Sequence, residues 1–174
     1  MDNKPTPHKR RPHHEVEKRV DLAHQRTTGV PLSSDIRLGV LIKHNASLLL
    51  DLMNQGLEPY GISAVAYMVM MNLQSTPANL ANPSELCNAT SETRSNMTRI
   101  TDELVDKGLI KRVPNEEDRR RVDLSLTEAG IELLRTVVPV IRAKMQIIFS
   151  GFTETSKAAF EADLIKLNRV LESM

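Results

Sequence analysis

Only one cysteine, Cys87, occurs in 174 residues, which excludes an internal disulfide and suits a reducing compartment. Glycine is also scarce: seven residues are few for phosphate-cradling loops, and neither a nucleophile elbow nor a zinc-ligand spacing appears. An excess of one charge is missing as well. The 23 Lys and Arg against 22 Asp and Glu leave a formal net charge of +1, which argues against nonspecific coating of a polyanion. Placement, rather than the total, decides the local field. No stretch approaches the about 18 consecutive apolar residues of a membrane span, and the N-terminus carries no apolar signal core. His13-His14 has no Cys or carboxylate cluster beside it at ligand spacing. Together these absences predict a soluble cytoplasmic chain without membrane, metal or cofactor, long enough for one domain with a real core.

What is present centres on residues 82–126, NPSELCNATSETRSNMTRITDELVDKGLIKRVPNEEDRRRVDLSL. Asn82 is a natural N-cap, Pro83 fits the first helical position, and Glu85 can return a bond to the cap. Ser91 is expected to cap a second helix that runs to about Lys107 and stops at Gly108. In that helix Met97, Ile100 and Leu104 fall on one face. At about 100° per residue, Ser95, Thr98 and Asp102 lie opposite, flanked by Arg94 and Arg99. Hydroxyls and guanidinium groups near a helix N-terminus suit phosphates and major-groove base edges, where the helix dipole adds its attraction. Asp102 and Asp106, farther along, are expected to repel a duplex and confine contact to the first two turns.

After Gly108 come two short strand-like runs, 109–113 and 122–126. The second alternates, with Val122, Leu124 and Leu126 on one side and Asp123 and Ser125 on the other. The loop NEEDRRR between them is almost wholly charged. A hairpin tip with Arg119, Arg120 and Arg121 can place a guanidinium in a narrow minor groove. Helix, turn, helix and basic hairpin make a winged helix–turn–helix, and the expected fold class is mainly α with a small β-wing.

PSEL, TRITDELVDKGLI, EEDRRRV and LSLTEAG together resemble the MarR family of ligand-responsive bacterial transcription regulators. The pattern is especially similar to the EmrR type, repressors of multidrug efflux operons. The match is close over residues 83–130, and element order extends it from about residue 34 to the C-terminus. The resemblance implies that Asp118 braces the wing and Arg120 enters the minor groove. It also maps the family's recognition-helix contacts onto Arg94, Ser95, Thr98 and Arg99. With Ser91 and Arg119, these form the candidate DNA-binding set.

Residues 1–31 read as a basic, partly disordered tail in which Val16, Val20 and Ala23 can form one face of a short helix. The run Lys9-Arg10-Arg11 reads as solubilising, with DNA contact as the rival reading. Residues 32–174 form the main domain, with the winged helix–turn–helix at about 62–127 and dimerisation helices at about 34–57 and 128–174. Ser34 or Asp35 starts the first of these helices. A helix after Ser63, AVAYMVMMNLQ, is apolar enough to predict burial all round. Thr127 caps a long helix interrupted by Pro139, and the last segment carries Phe160, Leu164, Leu167 and Leu171 in one stripe. Such helices need a partner surface, and a two-fold homodimer is the simplest source. Two recognition helices about 34 Å apart would match successive major grooves and call for a palindromic operator on double-stranded DNA.

The resemblance also implies a cavity walled by the first, second and fifth helices of the domain, taking a small aromatic or hydrophobic effector. Its matching segments offer His44, Tyr67, Met68 and Met71, with Arg37 and Arg142 near in sequence terms. The competing reading of the Met-rich helix is plain core. Cys87 invites a thiol-sensing alternative. However, the family's thiol sensors place their cysteine near the start of the first helix, whereas Cys87 lies in PSELCNAT as a small packing residue. An enzyme finds no motif here. A winged helix serving only as a protein-binding module is the remaining rival, opposed by the outward arginines.

Overall fold

The computed structural model describes residues 12–115 and 121–174, apart from the side chains of His13 and Ala78. The order is α1 (His13–Thr28), α2 (Ser34–Leu57), α3 (Ala64–Ser75), β1 (Leu80–Ala81), α4 (Pro83–Thr90) and α5 (Arg94–Asp106). There follow β2 (Ile110–Pro114), β3 (Val122–Leu126), α6 (Glu128–Ile148) and α7 (Glu154–Glu172). The chain divides into two compact units, Met1–Asp51 and Leu52–Met174.

In the first unit α1 occupies much of the stretch read as a tail. Gly29, left-handed at φ 78°, ends it by donating to the Gln25 carbonyl. Asp21 Oδ1 accepts from the Leu32 amide at 2.8 Å, Arg37 pairs with Glu17, and Leu32 is buried. Val16 and Val20 are half-buried, as the apolar spacing predicts, but Ala23 is exposed. The first eleven residues, with Lys9-Arg10-Arg11, lie outside the described residues.

The second unit is built on α3. Its N-cap Ser63 accepts from the Ala66 amide at 3.1 Å, and the Ala64 amide donates to Asn54 Oδ1 at 2.7 Å. Ala66, Val69, Met70 and Leu73 are buried against α4, α5, α6 and β3. Burial all round does not hold: Tyr67 and Met68 are half-buried and Met71 is exposed. One face of α3 makes the core, and the other keeps apolar side chains accessible in the single chain.

The sheet has three antiparallel strands in the order β1-β3-β2, one more than the ribbon read from the sequence. At two residues β1 is too short to show alternation, pairing Leu80 with Ser125 and Ala81 with Leu124. This places β3 in the centre, so Ser125 is buried along with Leu124 and Leu126, while Val122 at the wing end is exposed. In the centre, Ser125 is flanked by Leu80 on one ladder and Lys111 on the other.

α6 runs as one helix through Pro139, although the proline leaves the carbonyl one turn earlier without its helical partner. Its Leu134, Val137 and Ile141 enter the core. By contrast α7 buries none of its side chains. Phe160, Leu164 and Leu171 are exposed and Leu167 is half-buried.

Candidate nucleic-acid interface

Two short helices and the hairpin build the site. α4 starts with a complete capping box: the Glu85 amide donates to Asn82 Oδ1 and the Asn82 amide to Glu85 Oε2, both at 3.0 Å. It ends at Ser91, which is left-handed at φ 57°. The expected cap of α5 is therefore wrong by two residues: Thr93 is the N-cap, accepting from the Asn96 amide at 3.3 Å. The turn needs one residue with positive φ, no glycine is available, and Ser91 takes that place. Its side chain is exposed in the turn between the two helices.

α5 carries the two faces read from the sequence. Met97, Ile100 and Leu104 are buried, and Thr101 joins them by returning its hydroxyl to the Thr98 carbonyl at 3.0 Å. Arg94, Ser95, Thr98 and Arg99 are all exposed. The Thr98 hydroxyl donates to the Arg94 carbonyl at 3.0 Å, so it offers solvent an acceptor oxygen and a methyl group. Ser95, Thr98, Arg99, Asp102 and Lys107 line one shallow depression along the helix.

Side chains that the sequence reading passed over hold this surface. Glu92 accepts from Asn96 Nδ2 at 2.6 Å, and Asn96 Oδ1 accepts from Arg99 at 2.9 and 3.3 Å. Arg99 also reaches Glu103 at 3.6 Å, and Glu103 pairs with Lys107 at 2.6 Å. Lys107 donates in turn to the Gly61 carbonyl. This chain follows the i, i+3 and i, i+4 spacing of Glu92, Asn96, Arg99, Glu103 and Lys107, a legible signal. Asp102 differs from expectation. It pairs with Arg112 of β2, so its charge is partly neutralised instead of simply opposing a duplex. Asp106 remains exposed.

The wing is anchored at its base. The Asn115 amide donates to the Arg121 carbonyl at 3.1 Å, and Asn115 Nδ2 to Asp123 Oδ2 at 2.7 Å. Arg121 is exposed. Asp118, Arg119 and Arg120 fall outside the described residues.

The candidate effector residues are distributed over three helices. Arg37, which is paired with Glu17, and half-buried His44 stand on α2 within the first unit. Tyr67, Met68 and Met71 stand on α3 and exposed Arg142 on α6 in the second. Burial pushes the Tyr67 phenol above its ordinary value. Cys87 is half-buried on α4 against the core. Among the described residues no group of three His, Cys, Asp or Glu side chains is placed to hold a metal, and no helix is long and apolar enough to cross a membrane.

Comparison with known proteins meets this geometry at the same residues. A family model described as the MarR family matches residues 60–121, from just before α3 to the base of the wing. The transcriptional repressor MprA of Escherichia coli K12 is 36% identical over 140 residues, covering 80% of each chain. The regulator PecS of Dickeya dadantii is 32% identical over 127 residues, 72% of this chain and 76% of that one. Among solved structures, a cysteine-to-serine mutant of MarR from Escherichia coli complexed with operator DNA superposes with a TM-score of 0.70 at 29% identity. The match covers 76% of this chain and 94% of that one. With its capped helix–turn–helix, a hydroxyl- and arginine-bearing α5 and a β2–β3 wing in a three-stranded sheet, the chain belongs to the MarR family of winged helix–turn–helix transcription regulators.

Proposed function

We propose that this protein is a repressor of the EmrR type that binds a palindromic operator as a homodimer and is released by a small aromatic or hydrophobic compound. The observation that carries the DNA-binding part is α5, whose buried Met97, Ile100 and Leu104 hold Arg94, Ser95, Thr98 and Arg99 outward at the positive end of the helix. In this reading Arg94 and Arg99 take phosphate or guanine edges, and Ser95 and Thr98 face bases. Ser91 contributes from the turn. By the family resemblance, Asp118 braces the wing, Arg120 enters the minor groove, and Arg119 belongs to the DNA-contacting set. The name of MprA, a transcriptional repressor, supports the sign of regulation.

Dimerisation rests on α7, which leaves Phe160, Leu164 and Leu171 uncovered in the single chain. A homodimer spaces two recognition helices by about one helical turn of DNA, roughly 34 Å. The effector part rests on the accessible Tyr67, Met68 and Met71 face of α3, with His44, Arg37 and Arg142 as the polar candidates. Adaptable thioethers suit an irregular apolar ligand, and a neutral phenol suits its polar end. Release requires that the compound bind the DNA-incompetent spacing more tightly than the competent one.

The test is a fluorescence-anisotropy titration against palindromes upstream of the protein's own locus, repeated over a salt series. A steep loss of affinity with salt and a clear preference over random DNA are expected. Arg120→Ala weakens operator binding while the dimer persists. Equal affinity for every duplex sequence would count against operator recognition, and no salt dependence would return the chain to the protein-binding alternative.

A further inference from the structure

α6 meets the DNA-binding elements through a joint made of the Thr127 side chain and close backbone contacts. The Thr127 amide donates to the Leu109 carbonyl at 3.1 Å. The Thr127 hydroxyl lies 2.7 Å from the Gly108 carbonyl and 3.1 Å from that of Leu109, and it accepts from the Gly130 amide at 3.1 Å. One side chain thus caps α6 and ties it to residues 108–109. Those two residues are themselves locked to the end of the recognition helix. The Gly108 amide, at φ 67°, donates to the Val105 carbonyl at 2.8 Å, and the Leu109 amide to that of Leu104 at 2.9 Å. The next residue, Ile110, opens the wing in register with Leu126, immediately before Thr127. Recognition helix, both wing strands and α6 therefore converge within a few residues.

Gly130 makes the joint tight. A Cβ at this position would lie 2.2 Å from the Leu109 carbonyl oxygen, a backbone atom that cannot swing aside. Such an approach is available to glycine alone. Apart from the Thr127 side chain and Leu126 Cδ2, which would lie 3.1 Å from that Cβ, backbone meets backbone here, so the joint has little room to absorb a relative movement.

We infer that Thr127 and Gly130 are positioning residues for operator recognition, fixing the pose of α5 and the wing to the first turn of α6. This rests on the DNA-binding reading above. α6 is 21 residues long, about 30 Å at 1.5 Å per residue, and its far end leads to the uncovered apolar surface of α7. A displacement of the first turn of α6 is carried to the groove-reading face, because the linkage leaves little slack.

The test compares the wild type, Thr127→Val and Thr127→Ser in the full chain, on operator and random DNA, with thermal melts alongside. Valine keeps the shape but removes both hydroxyl bonds; serine restores them. At a temperature where all three are folded, Thr127→Val should lose about tenfold or more in operator affinity. It should keep random-DNA affinity and its salt slope, and Thr127→Ser should return to near wild type. A merely structural residue would change the melting temperature and leave the operator-to-random ratio of the folded protein untouched; that result, or unchanged operator affinity in Thr127→Val, overturns the inference. Gly130→Ala should show the same loss of preference, but because it can fail to fold, Thr127→Val decides. Should the wild type itself prefer no operator, the DNA-binding reading fails first and takes the inference with it.

Discussion

Arg99 on α5 is held by Asn96 on one side and Glu103 on the other, yet its side chain remains 66% exposed. Contacts of this kind between exposed ions are weak, typically about 0.2–1 kcal/mol, so they orient the guanidinium without preventing its transfer to a phosphate. Arg99→Ala should therefore weaken DNA binding and lower the salt slope by about one if its partner is a phosphate. Thr98→Val should act differently. It leaves the methyl and removes the acceptor oxygen, so the preferred operator sequence should shift while affinity for random DNA stays. Measuring both variants on operator and random duplexes separates the roles, and an equal loss on both DNAs for Thr98→Val would remove it from base readout.

Among the elements, the pairing of Asp102 with Arg112 joins the recognition helix to the wing strand β2. Both side chains are about half exposed, so the pair is worth no more than about 1 kcal/mol and acts as an orienting contact. In a double-mutant cycle, Asp102→Asn and Arg112→Gln should each weaken operator binding slightly, with the double variant no worse than either alone. Tighter binding by Asp102→Asn would instead restore the simple view of that carboxylate as a repulsive charge. The sequence could not reveal this contact, because residues 102 and 112 meet only when the strand folds back across the helix. What was legible had local causes. The capping box at Asn82 and Glu85, the Thr127 cap, the stop at Gly108 and the Met97–Ile100–Leu104 stripe all follow from neighbours within about one helical turn. Features decided by distant partners were missed. The two-residue β1 turned β3 into a central strand carrying a buried Ser125, whereas the shift of the α5 cap from Ser91 to Thr93 was local, because Ser91 takes the left-handed turn position. The resemblance drawn from residues 83–130 carried the family reading further than any single element could.

For the molecule as a whole, the contrast between α5 and α7 matters most. α5 buries its apolar face inside its own unit, whereas α7 keeps Phe160, Ile165, Val170 and Leu171 at 46–61% exposure. If a second copy covers that surface, Leu164→Glu should place an uncompensated charge in the contact and shift the protein to a monomer in sedimentation velocity. The isolated chain should retain the winged helix, because none of the α7 side chains belongs to its core. Operator affinity should fall much more than affinity for an isolated half-site. A variant that remains paired at micromolar concentration would show that α7 is covered in another way.

The bare side of α7 also has a genetic meaning. A helix that finds its cover in a sister molecule cannot tell an intact sister from one whose arginines have been lost, since those arginines lie on another element. Alleles damaged only at Arg94 or Arg99 should therefore be dominant: in a cell making both products, mismatched pairs outnumber sound ones, and each mismatched pair grips its target with one hand.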